Sequence, residues 1–351
     1  MQERIYGLDL LRVIIMLFGP TFHAAMLIGG GFGFGDALDQ NKLIHNILFV
    51  TNPFRMELFF MISGFFAALL IAKKGVAYYG YSRTKRILKP TIFAMLTVLP
   101  LTIMAIVALR EFKNIDYHIS YRHLWFLVTL SMISLLTMIA PMMLMNATKA
   151  LAARLNKFPF VLSAAGFCLL VCSMHLLSSV VVRVIPETMN FIFQIKATVF
   201  YLAQFLIGMI IYFLKKNPGR ALIAVFLVLY FIWYVAIFCN DALIPMKGFW
   251  LLIKDVFSSL ACLAFFYLFY DLKIGKSRAL TTLSRIALPF YLIHLPVLIV
   301  LSHVWLKVAH NGSSFTYAAV VIPLTVTLSL LASFLAGKVN FINKRLGLSQ
   351  Q

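Results

Sequence analysis

Three histidines, His23, His123 and His294, stand inside or at the mouths of strongly apolar runs. An imidazole placed there needs a partner or a task, and its chemistry is that of a proton acceptor, a nucleophile or a hydrogen-bonding group. His23 closes the stretch LRVIIMLFGPTFH, which opens with Arg12. The eleven steps between them turn a helix three times plus about 20°, so both project from one face about 16 Å apart. Gly19-Pro20 ahead of His23 frees a backbone carbonyl and bends the helix, as expected where a span lines a cavity rather than lipid. The plainer alternatives are that Arg12 snorkels to an interface, paired with Asp9 at i,i+3, and that His23 bonds a neighbouring helix.

Further polar groups recur at the ends of other apolar runs. FRMELFFMISGFF puts Arg55 and Glu57 at the opening of the second run and Ser63-Gly64 deeper in it. Two residues apart, Arg55 and Glu57 point to different sides of a helix and need separate partners. RHLWFL at 122–127 sets His123 at the level of His23, with Trp125 as an interfacial aromatic. SRIALPFYLIHLP places His294 between Tyr291 and Pro296, either packed across helices or part of a polar site. In YYGYSRTKRILKP, Arg83 and Arg86 stand one turn apart, a topology signal or a cradle for a phosphorylated cytosolic ligand. GGGFGFG at 29–35 resembles a nucleotide loop only as a string, because it follows an apolar helix rather than a strand.

The elements that must position these groups are membrane spans. Aliphatic and aromatic residues form 62% of the 351-residue chain, charged residues only 12%. Mean hydropathy is +0.94, which no soluble fold of this size can hide. The reading is all-α: a polytopic helical bundle forming a single domain over 1–351. Runs able to cross about 30 Å of hydrocarbon lie near 8–29, 47–72, 90–109, 123–146, 158–180, 196–214, 221–239, 248–270, 286–306 and 315–336. The first is expected to be an uncleaved span rather than a signal peptide. Arg4, 73–89, 149–157, 215–220, 271–279 and the tail after 336 hold 19 Lys and Arg, against seven in the other five loops. The positive-inside rule then puts both termini in the cytoplasm. This confinement explains the net charge of +20 and excludes nucleic acid as a partner. Cys168 and Cys172, at i,i+4 in an apolar run, indicate packing rather than a disulfide or a metal site.

Taken in order, Arg12 with His23, RMELFFMISGFF, RTKRILKP, HLWFL and FYLIHLP resemble the acyltransferase-3 family of integral-membrane acyltransferases, over essentially the whole chain. The pattern looks closest to the branch called glucan biosynthesis protein C, similar to periplasmic glucan succinyltransferases. Glu57 departs from that branch, where an amide is expected, and looks like the acidic residue of the wider family. The resemblance implies an enzyme transferring groups other than aminoacyl groups: acetyl or succinyl passes from cytosolic acyl-coenzyme A to a hydroxyl of an extracytoplasmic glycan. It implies a multi-pass protein of the bacterial inner membrane, in contact with lipid, with no permanently bound cofactor and no metal. His23 corresponds to the family's histidine, as base or acyl carrier. Arg12, Arg83 and Arg86 correspond to donor-binding residues. Arg55, Glu57 and His123 would hold the acceptor or an oxyanion, with Asp9, Ser63, Trp125, Tyr291 and His294 in support. The rival readings are a proton-coupled transporter, for which no inverted repeat is visible, and a non-catalytic scaffold.

Overall fold

The computed structural model describes residues 5–29, 38–108, 121–238, 248–309 and 312–339. Arg4, the glycine run at 30–35, the segments 110–120, 240–247 and 310–311, and the tail after 339 lie outside the described residues. The protein is an all-α polytopic helical bundle. In chain order come α1 (Tyr6–Leu17), α2 (Gly19–Ile28), α3 (Lys42–Phe49), α4 (Asn52–Arg83), α5 (Lys89–Leu96), α6 (Val98–Ala108) and α7 (Trp125–Ile139). There follow α8 (Pro141–Leu155), α9 (Phe160–Val184), α10 (Glu187–Phe193), α11 (Ile195–Phe213) and α12 (Arg220–Trp233). The last are α13 (Phe249–Tyr270), α14 (Arg278–Val308) and α15 (Ser314–Lys338).

Among the described residues, eight helical stretches are long and apolar enough to cross a membrane. One of them, Lys42–Val107, contains two of the apolar runs read from the sequence, and the shorter apolar helix Arg220–Ala236 carries another, so all ten runs fall on helices. Three boundaries differ from expectation. The run 123–146 is not continuous: Ala140 is non-helical (φ −130°, ψ 54°) and Pro141 starts α8. Proline lacks an N–H and forces its predecessor out of the α region, so an apolar run that reads as one span breaks there. The segment 149–157 continues α8 as far as Leu155 instead of forming a loop.

The basic segment 73–89 is also helical, but it reverses direction. Gly75 has φ 82° and ψ 168°, a conformation glycine adopts freely and other residues rarely do. Arg83 Nη2 donates to the carbonyl of Ser63 at 3.0 Å, although a straight helix would hold residues twenty apart about 30 Å from each other. The chain after Gly75 therefore folds back along α4. A π turn, Thr84–Leu88, then leads into Pro90 near the start of α5.

The chain divides into two compact units. Unit 1 comprises 1–11, 53–87 and 126–275, and unit 2 comprises 12–52, 88–125 and 276–351. In unit 1, α9 packs on α11 and α13 and α12 packs on α13, Phe54 and Phe60 of α4 meet Tyr230 of α12 and Tyr201 of α11, and apolar side chains such as Leu169, Val180 and Ile232 are exposed. Gly64 and Gly208 bring α4 and α11 into backbone contact, since a Cβ on either would meet a carbonyl oxygen of the other helix at 1.8 Å. In unit 2, α14 and α15 pack with α2 and α6 around Ala24, Leu27, Leu295, Leu298, Tyr317 and Val321. That apolar cluster sits beside the segments that carry the histidines.

Candidate active site

Unit 2 brings His23, His123 and His294 together. Their ring centroids are 5.2 Å apart for His23 and His294, 5.5 Å for His123 and His294, and 6.5 Å for His23 and His123. All three side chains are buried. His23 lies in the second turn of α2, which restarts after one interrupted residue, Phe18, because Pro20 offers no N–H to the preceding turn. The ring of His294 passes close to Gly19, where a Cβ would stand 3.0 Å from its Nε2.

Proline also explains how His123 is held. Pro296 sits inside α14 and cannot donate to the carbonyl four residues earlier, that of Leu292. His123 Nε2 donates to that carbonyl instead, at 2.9 Å. In return, the hydroxyl of Tyr291 donates to the backbone carbonyl of His123. Arg122, in the left-handed region at φ 48°, turns the chain so that His123 enters from the short 3-10 turn Arg122–Leu124. Ring and main chain of His123 are thus both fastened to α14.

These bonds fix proton positions. A carbonyl oxygen only accepts, so His123 carries its proton on Nε2 and keeps a lone pair on Nδ1. His294 Nδ1 donates to the carbonyl of Tyr291 at 2.6 Å. Phe290 stacks on His294 at 5.9 Å and holds its plane. Two imidazoles, each with one nitrogen committed to a backbone carbonyl, therefore stand beside a third. Such a set can accept a proton at His23 and stabilise the resulting imidazolium, or orient His23 as a nucleophile.

Other residues singled out in the sequence are distributed between the units. Arg12 is half-buried at the start of unit 2, on α1, and Trp125 is half-buried at the start of α7. Asp9, Arg55, Glu57, Ser63 and Arg83 are buried in unit 1, and Arg86 there is exposed. Arg83 and Arg86 thus differ in environment: Arg83 lies over the Tyr79 ring at 5.1 Å and bonds Ser63, while Arg86 faces outward. Sequence reasoning passed over a second polar group in unit 1. His175 on α9 and Asp255 on α13 meet at 2.5 Å, with Lys254 Nζ 3.9 Å from the other carboxylate oxygen. The signal was present, because Lys254 and Asp255 are the charged pair within the apolar run 248–270. Among the described residues, no group of three or more His, Cys, Asp or Glu side chains is arranged to hold a metal.

A family model described as "Acyltransferase domain" matches residues 5–334. The chain belongs to the acyltransferase-3 family. Its multiple apolar helices, long enough to cross a membrane, accord with that family. Similar proteins include "Glucans biosynthesis protein C" of Escherichia coli strain SMS-3-5 / SECEC, 25% identical over 225 residues. The protein of the same name from strain K12 / DH10B is 24% identical over 225 residues. Both matches cover 59% of this chain and 57% of the relative, so the chain spans little more than half the length of the curated relatives it matches. No solved structure matches.

Proposed function

We propose that this acyltransferase moves an acetyl or succinyl group from cytosolic acyl-coenzyme A to a hydroxyl of an extracytoplasmic glycan, in a bacterial inner membrane with both termini inside. The observation that carries the reading is the imidazole cluster, in which His123 and His294 each donate one ring N–H to a backbone carbonyl, that of Leu292 and that of Tyr291. An alcohol is a poor nucleophile near neutral pH, so a base must take its proton as it attacks the thioester. His23 takes that proton, the tetrahedral intermediate expels the coenzyme thiolate, and the imidazolium returns the proton to sulfur. In the covalent variant, His23 attacks the thioester first, and the alcohol then displaces the imidazole from the acyl group. Either route gives an ester and a thiol, with no net proton gained or lost.

His294 and His123 stabilise charge on His23. The Nε2 N–H of His123 goes to Leu292, so Nδ1 is the nitrogen assigned to the acceptor or the oxyanion. Arg12, Arg83 and exposed Arg86 are assigned to the coenzyme phosphates, where guanidinium forks suit the geometry. Arg55 and Glu57 are assigned to the acceptor, with Asp9, Ser63, Trp125 and Tyr291 as packing and orienting support. Glucan is the first acceptor to try, given the name of the similar proteins. The test encloses the purified protein in liposomes with labelled acetyl- or succinyl-coenzyme A on one side and a glucose oligosaccharide on the other. Labelled oligosaccharide is the expected product. Its absence with both donors, while the liposomes take up oligosaccharide without donor, contradicts the reading and favours transport.

A further inference from the structure

Three loops of unit 1 meet at one end of its apolar helices: 156–159 ahead of α9, 214–219 between α11 and α12, and 271–275 after α13. Hydrogen bonds fasten them to one another. Asn156 Oδ1 accepts from the backbone N–H of Lys215 at 3.1 Å, Lys216 Nζ donates to the carbonyl of Phe158, and Asn217 Nδ2 donates to Asp271 Oδ2. Gly219, at φ 59°, then turns the middle loop into α12. The surface so assembled is basic. Arg154, Lys157, Lys215, Lys216, Arg220 and Lys273 stand on these loops or at the helix ends beside them, against the one carboxylate of Asp271. All but Lys216 are exposed, and among the described residues none of the six is in an ion pair. Large apolar side chains are interleaved with the cations: Phe158 is 49% exposed and Leu272 45%.

We infer that this end of unit 1 is a docking surface for the headgroups of anionic phospholipids. Because apolar helices end here, the patch lies at the headgroup level of the leaflet it faces, where lipid phosphates stand and where lysine and arginine stems extend along the acyl chains. Each basic side chain close to an anionic membrane surface strengthens the attraction about fivefold. Guanidinium and ammonium groups fit the phosphate oxygens, while Phe158 and Leu272 fit the acyl chains beside them. A phosphate ester dissolved in water has no use for those apolar side chains. An orientation signal needs charge on each loop separately, not loops fastened into one surface. The inference holds whichever acyl group the enzyme transfers.

The test titrates the full-length protein in neutral detergent with phosphatidylglycerol, or with phosphatidylcholine of the same acyl chains, and counts bound lipid by native mass spectrometry. Wild type is expected to bind phosphatidylglycerol at least about tenfold more tightly, and added salt weakens that binding while leaving phosphatidylcholine unchanged. Arg154→Gln, Lys157→Gln, Arg220→Gln and Lys273→Gln combined lower the phosphatidylglycerol affinity at least about tenfold. Arg154→Lys, Lys157→Arg, Arg220→Lys and Lys273→Arg combined keep it, because the charge is retained. Equal affinity of wild type for the two lipids, or wild-type affinity in the folded glutamine variant, overturns the inference. So does displacement of phosphatidylglycerol by coenzyme A, which would hand the patch to the donor's phosphates. Should the glutamine variant fail to fold, the salt titration of wild type decides, since binding indifferent to salt contradicts a surface of exposed cations.

Discussion

His123 donates its Nε2 proton to the carbonyl of Leu292, a carbonyl left without a helical partner by Pro296. The proline is therefore as much a part of the site as the histidine it serves. Pro296→Ala supplies an N–H that competes for Leu292, and it removes a residue that costs about 3 kcal/mol inside a helix. The expected outcome is higher thermal stability with kcat lowered about tenfold or more, the scale of losing correct acid–base orientation. Unchanged kcat in a stabilised variant would count against the tie between His123 and catalysis.

Gly19→Ala addresses His294 in the same way. The new methyl stands 3.0 Å from Nε2, and the fully buried ring has little room to retreat. Strain of about 1–3 kcal/mol is partly offset by the better helix propensity of alanine, about 1 kcal/mol. Thermal stability is expected to change little while transfer falls about a hundredfold, as a misplacement near 1 Å can cause. Melting curves and kcat measured together check the split.

Gly64 and Gly208 tell the opposite story in unit 1. A methyl on either would meet a backbone oxygen at 1.8 Å, and backbone cannot rotate away as a side chain can. Gly64→Ala and Gly208→Ala should each destabilise by more than the ordinary overpacking cost of about 1–3 kcal/mol. Thermal unfolding in detergent, monitored by size-exclusion chromatography, reports this directly. Wild-type melting in either variant would mean that α4 and α11 do not touch.

The apolar runs were legible because lipid imposes length and composition on every span, and all ten lie on helices. Pro141 was equally visible, but an apolar pattern on both sides of it masked the break. The return of Arg83 to Ser63 was not legible, because nothing in KKGVAYYG shows that Gly75 takes a positive φ. At the candidate site, His23, His123 and His294 stood out as polar residues in apolar surroundings. Their meeting did not, since it depends on contacts between residues some hundred or more positions apart. His175 and Asp255 were overlooked because they lie in separate runs, and only packing of α9 on α13 pairs them.

Asp39 gives a pH prediction outside the spans. Its carboxylate accepts from the backbone N–H and hydroxyl of Ser314, and its own N–H donates to Gly312 at 2.7 Å. The side-chain bond from Ser314, then the backbone bond, hold its carboxyl below the ordinary carboxylate value. A depressed folded-state value means that the stabilisation is complete above the unfolded value, about 3.9, and is lost as pH falls through the folded one. Wild type should therefore lose thermal stability on acidification below about pH 4 more steeply than Asp39→Asn. Parallel melting profiles for the two would refute the clamp.

The central claim is that one imidazole, supported by two others, handles the proton or the acyl group. The most direct measurement is the rate of acyl transfer from acyl-coenzyme A to the oligosaccharide by purified His23→Ala, alongside its melting temperature. The account predicts a protein that melts like wild type and has lost at least about a hundredfold in kcat, the lower bound for removing an acid–base group. Wild-type transfer by His23→Ala would contradict it.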